Sequence, residues 1–94
     1  MEIGIKVAPH HVDWKTFLQV AELADAATIF SQFWNFDHFY PIKGDTDGPC
    51  LEAWVSLTGI AQATNRIRIG SMVNGVHYRH PAVLANMASA LDIV

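Results

Sequence analysis

Asp37 and His38 stand side by side within the run Phe33-Trp34-Asn35-Phe36-Asp37-His38-Phe39-Tyr40-Pro41. An imidazole titrates close to neutral pH, so His38 can take up or release a proton at a reacting atom. A neighbouring carboxylate can orient such a ring or hold a substrate hydroxyl, and Asp37 is the candidate for that task. In the competing structural account Asp37 caps a turn and His38 packs on Tyr40 and Trp34. Successive residues of a strand point to opposite faces, so both side chains serve one site only if the strand carrying them has ended by Phe36.

Other reactive side chains are fewer. His10 and His11 are adjacent, and His10 either reaches a ligand or bonds nearby backbone. Arg79 and His80 precede Pro81 at a predicted helix start, where free N–H groups favour anions. Arg79 there either holds a phosphate or acidic tail or pairs with a carboxylate of the scaffold. The 5 histidines invite a metal. His77 and His80 lie three apart in a loop, and no helical His-x-x-x-His or carboxylate cluster accompanies them, so no metal site is expected. Cys50 is the single cysteine, which excludes an internal disulfide and a paired-cysteine zinc site.

These groups must be positioned by regular elements. Ile3, Ile5 and Val7 alternate with Glu2, Gly4 and Lys6, the period of a strand, and Pro9 stops it. Asp13 is a plausible N-cap for a helix over 13–27, with Trp14, Phe17, Leu18 and Ala21 at helical spacing. The β-branched and aromatic stretch 28–36 predicts a second strand. Residues 40–48, dense in Pro, Gly and Asp, predict a surface loop. A helix over 49–64 follows, capped by Asp47 or Gly48 with Pro49 at its first position, and carries Leu51, Trp54, Val55 and Thr58 along one side. Arg66 and Arg68 alternate with Ile67 and Ile69 in a third strand running to about Val73. Pro81 opens a third helix whose Val83, Leu84, Met87, Ala88, Leu91 and Val94 form a wide apolar face. Strands alternating with helices imply an α/β fold with a parallel sheet and right-handed crossovers.

The composition bounds the partners. With 94 residues there is room for at most one small domain. Hydrophobic residues make up 51% and charged residues 16%, too apolar for disorder. A net charge of −3 with 6 scattered Lys and Arg offers no footprint for nucleic acid or anionic lipid. The N-terminal run lacks a small-residue cleavage site, and no stretch reaches the roughly 18 apolar residues of a membrane span. A soluble, cytoplasmic protein is expected, with no membrane partner.

Taken together, FDHFYP, the segment GPCLEAWVSLTGIAQATNRIRIG and the segment SMVNGVHYRHPAVLANMASALDIV resemble the N-terminal third of the luciferase-like monooxygenases. The likeness is to the branch that uses the deazaflavin coenzyme F420, the alternative being the branch that uses flavin mononucleotide (FMN) and O2. The resemblance implies a (β/α)₈ TIM barrel, of which residues 1–94 are the first three βα units of a single truncated domain. It implies that the barrel mouth, at the C-terminal ends of the strands, gathers His10, the Asp37-His38 pair and the segment Ser71-Met72-Val73-Asn74.

For His38 the resemblance implies a base for the proton of a substrate hydroxyl during hydride transfer, with Asp37 beside it. For Ser71, Met72, Val73 and Asn74 it implies a shelf under the coenzyme ring, with a non-proline cis peptide between Met72 and Val73. The proton-donating glutamate of the relatives comes from a later strand. A homodimer of the full-length protein through the second and third helices is implied too; small residues Gly59, Ala61, Ala63, Ala85 and Ala88 would allow the approach, or serve the core. One departure stands out: relatives often carry a Gly-Phe-Asp turn before the second strand, where this chain reads ADAATIFSQF. A non-catalytic role, through helix-mediated association alone, is the competing account of these residues.

Overall fold

The computed structural model describes residues 1–94 as an α/β unit with three parallel strands, in spatial order β1-β2-β3, and three helices. The strands are β1 (Gly4–Lys6), β2 (Gln32–Asn35) and β3 (Arg68–Ser71), and the helices α1 (Trp14–Ala26), α2 (Ala53–Ala63) and α3 (Pro81–Ile93). None of the helices is long and apolar enough to cross a membrane.

Register explains the two faces of the sheet. Ile5, Phe33 and Ile69 lie in one row across the three strands and point toward the helices. There Phe33 joins Phe17, Ala21 and Ala24 of α1, Ile60 of α2, and Ile67 in the buried core, with the Phe17 and Phe33 rings edge to face at 5.7 Å. Fully burying side chains of this size contributes roughly 1.5–3 kcal/mol each relative to exposure. The next row, Lys6, Trp34 and Gly70, faces the other way, where no helix covers it. The Trp34 indole lies across this face: a Cβ at Gly70 would sit 2.6 Å from its ring, so only glycine admits it. Trp34 Nε1–H donates to Gln32 Oε1 on the same face, at 3.0 Å.

The helix starts follow local chemistry, with one correction. Asp13 caps α1 as its position suggests, accepting the Thr16 N–H at 2.7 Å. Pro81 is the first residue of α3, and His80 Nδ1 accepts the Ala82 N–H. Helix α2 starts at Ala53 rather than at Pro49. Residues 49–51 are drawn into an extended pairing with the segment after β1: His11 N–H donates to Pro49 O and Leu51 N–H to Pro9 O, each at 2.8 Å. Glu52 becomes the N-cap, its carboxylate accepting the Val55 N–H at 2.6 Å. A tertiary pairing thus took the residues that helical propensity would have used.

The strands are shorter than their hydrophobic patterns. Residues 27–30 form a turn closed by Phe30 N–H to Ala27 O, so β2 starts at Gln32 rather than at Thr28. At the start of β3, the Asp25 carboxylate occupies the N–H groups of Asn65, Arg66 and Ile67, which leaves Arg68 as the first paired residue. The Arg66 guanidinium returns to the carbonyls of Ala24, Asp25 and Ala27 and so fastens the end of α1 to the start of β3. Helix α3 carries the expected apolar face but buries none of it fully, and a cleft of about 440 Å³ separates it from α2 and the free edge of β3.

Candidate functional site

Three connecting segments leave the C-terminal ends of the strands, where binding residues of parallel α/β sheets collect. From β1 comes the segment through Pro9, His10 and His11; from β2, the long loop starting at Phe36; from β3, residues 72–80. Burial and pairing sort the candidate side chains into two groups on opposite sides of the sheet.

The first group lies on the helix-free side and is aromatic. The His10 ring meets Phe36 edge to face at 4.9 Å and His38 at 5.8 Å, and Phe36 meets His38 at 5.4 Å. Lys6 Nζ stands 5.0 Å above the Phe36 ring, within range of a cation–π attraction. His10 Nδ1 accepts the Ile42 N–H at 3.4 Å, which puts the proton of the neutral ring on Nε2. That Nε2 is buried and has no hydrogen-bond partner. Burial first, then the charges His38 and His11 would carry, hold the His10 pKa below the ordinary 6.5. His38 is half-buried, and its carbonyl accepts the Cys50 Sγ–H at 3.2 Å, while burial pushes the Cys50 thiol up.

The second group lies on the helix side and is ionic. Asp37 is buried, and its carboxylate accepts from Arg79 Nη1 at 2.5 Å, from Arg79 Nη2 at 3.2 Å and from the Gly75 N–H at 3.0 Å. Arg79 Nη2 also donates to Glu52, the N-cap of α2. Hydrogen bonding to Asp37 is the largest cause holding the Arg79 guanidinium above its ordinary pKa.

Asp37 is therefore turned away from His38, and the expected orienting contact between them does not form. The reason is the strand's own alternation, which continues past the last residue of β2. Asp37 N–H still donates to Val73 O at 3.2 Å, so Asn35 and Asp37 face the helices while Phe36 and His38 face the other side. Arg79 pairs with two scaffold carboxylates, Asp37 and Glu52, the second of the two accounts open to it.

The end of β3 is shaped by pairing to β2. Met72 N–H donates to Asn35 O at 2.8 Å, and the peptide bond between Met72 and Val73 is cis. Met72 and Val73 are exposed, whereas the buried Ser71 Oγ has no partner. Asn74 Oδ1 accepts the Trp54 Nε1–H at 2.9 Å, which ties it to α2. Beyond it Tyr78 stacks on Phe39 with ring centres 4.0 Å apart and planes at 19°, so the loops after β2 and β3 touch.

His11, at φ 53°, is a loop residue: its Nε2 lies 2.8 Å from Lys43 O. His77 packs on Tyr78 and His80 caps α3, so only His10 and His38 meet. No group of three or more His, Cys, Asp or Glu side chains is arranged to hold a metal ion. Glu52 was missed from the sequence; it lies 27 residues from Arg79, and nothing in its neighbourhood marks it as a partner.

Three parallel strands alternating with three helices, with two imidazoles meeting beyond the first two strand ends, define an α/β protein. The family model for luciferase-like monooxygenases matches residues 1–94, and the chain belongs to that family. Its fold is similar to that of an F420-dependent secondary alcohol dehydrogenase solved in complex with an F420-acetone adduct, with a TM-score of 0.78 and 22% identity. That likeness covers 92% of this chain and 26% of the other, so the chain spans about a quarter of the dehydrogenase's length. No curated protein matches it.

Proposed function

We propose that the chain forms the N-terminal part of a luciferase-like (β/α)₈ oxidoreductase that moves hydride between coenzyme F420 and a small alcohol or carbonyl compound. The observation that carries the reading is the contact of His38 with His10 on the helix-free side of the strand ends. Membership of the family and the deazaflavin-dependent neighbour support it.

The residues present suit a flat conjugated ring. Met72 and Val73 offer exposed apolar surface, and His10 Nε2 is a polar atom without a partner, the mixture of apolar wall and polar point that small-molecule sites use. Met72, Val73 and His10 would hold such a ring; Ser71, in register with Asn35, faces the helices, and Asn74 and Arg79 support the loop through Trp54 and Asp37. When bound, the deazaflavin supplies the hydride acceptor or donor for a two-electron transfer. The chain's own part is proton management. His38 takes the hydroxyl proton as the alcohol carbon is oxidised, and returns it in the reverse direction. Neutral His10, with its proton on Nε2, adds no second positive charge beside His38.

The test is titration of the full-length protein with deazaflavin and, separately, with FMN, followed by absorbance during turnover with secondary alcohols. Deazaflavin binding with loss of its oxidised absorbance is expected. Oxygen-dependent turnover with FMN would move the protein to the monooxygenase branch, and binding of neither would sink the reading.

A further inference from the structure

The segment from Met72 to Arg79 is fastened at several points while keeping its apolar side chains in water. Gly75 N–H and the Arg79 fork both end on Asp37, and Arg79 reaches on to Glu52. Asn74 is tied to Trp54, and Tyr78 is stacked on Phe39. Yet Met72 is 41% exposed, Val73 71% and Val76 82%. Apolar groups held outward on a fixed backbone make a ready surface for a ligand.

We propose that Asp37 and Arg79 are positioning residues whose ion pair holds this loop as a rigid apolar shelf against one face of a flat conjugated ring. The inference rests on the reading of the strand end as a ring site, and it names what keeps that site in shape. Asp37 takes N–H groups from the middle of the loop, at Gly75, and from its end, at Arg79, on a carboxylate with no exposure of its own. Opening the loop would strand a buried carboxylate without partners, which disfavours the open form. Arg79 in turn is flanked by two carboxylates, so its charge is spent within the protein and the ring is met by apolar surface.

Three variants test this: Arg79→Met, Arg79→Lys and Gly75→Ala. A Cβ at Gly75 would fall 2.3 Å from the Tyr78 ring, so the last variant displaces the loop without altering any charge. Residue-resolved amide exchange is measured on ligand-free full-length protein, and deazaflavin affinity by fluorescence titration.

In Arg79→Met and Gly75→Ala, exchange across residues 72–79 is expected to quicken about tenfold or more while the amides of Ile5, Phe33 and Ile69 keep their protection. Deazaflavin affinity is expected to fall by about tenfold to a hundredfold, the usual penalty for loosening a support. Arg79→Lys keeps the charge without the fork and should recover part of both. Exchange that is unchanged in the loop, or that rises equally in loop and sheet, overturns the proposal. So does a loosened loop with undiminished affinity. Wild-type protein that binds no ring coenzyme overturns the ring-site reading itself, which the variants of a binding protein leave standing.

Discussion

The imidazoles of His10 and His38 meet edge to face, with centroids 5.8 Å apart and planes at 72°, although 27 residues and a helix separate them in the chain. The parallel register of β1 and β2 brings them together: Lys6 is opposite Trp34, and each histidine lies four residues beyond its member of that pair. The contact makes two of the five histidines neighbours and leaves the others to the loops.

Replacing His38 by Asn removes the proposed proton acceptor and keeps a polar side chain at that position. Turnover in the full-length protein should fall by about a hundredfold to ten-thousandfold, the usual contribution of a general base. The melting temperature should move little, because the ring is only half-buried. Wild-type turnover in His38→Asn would remove His38 from the chemistry.

His10 predicts a pH dependence. Its folded pKa lies below the ordinary 6.5, chiefly through burial, so the folded chain binds this proton less readily than the unfolded chain does. Its contribution to stability is complete above the ordinary value and is lost as pH falls from there through the folded value. Urea midpoints measured between roughly pH 7.5 and 5.5 should decline in the wild type, and less steeply in His10→Gln. Equal slopes would show that His10 takes no part.

Asn35 is fully buried and donates to Ala53 O at 2.9 Å and to Ser56 Oγ at 3.2 Å, fixing β2 against the first turn of α2. Asn35→Ala should cost about 1–3 kcal/mol in equilibrium denaturation. Asn35→Asp, which puts a carboxylate beside the Ala53 carbonyl, should cost more. Less loss in Asp than in Ala would contradict the donor role.

At Asp25, burial acts to raise the carboxyl pKa. The N–H bonds from Asn65, Ile67 and Arg66, with the Arg66 charge, outweigh it and hold the value below the ordinary 3.8. The stability this represents is present above the ordinary value and disappears as pH falls through the folded one. Asp25→Ala should lower stability at neutral pH by about 1–2 kcal/mol and flatten the acid limb of the profile. Acid unfolding with an unchanged midpoint in the variant would argue against it.

Element order was readable from the sequence because hydrophobic period is a local property. The alternation of Ile3, Ile5 and Val7, the Asp13 cap and Pro81 at a helix start all act within a few residues of themselves. The start of α2 was not readable. Pro49 and Leu51 have the chemistry of a helix entrance, but Pro9 and His11, some 40 residues earlier in the chain, offer them a backbone pairing instead. The strand limits were hidden for the same reason: Asp25 takes the N–H groups just before β3 from across the molecule.

For the site, the sequence by itself determined which groups were available: His10 and His38, Asp37, Arg79, and an apolar segment at 72–73, on connections that follow successive strands. Tertiary structure decided how they divide. Side-chain alternation carried past β2 sends Asp37 inward to Arg79 and Glu52, and His38 to the opposite face with His10. Sequence adjacency made the Asp37-His38 pair look like one unit. A backbone still paired to its neighbour at Asp37 makes them two: one side chain that shapes the loop, and one left facing the open side of the sheet.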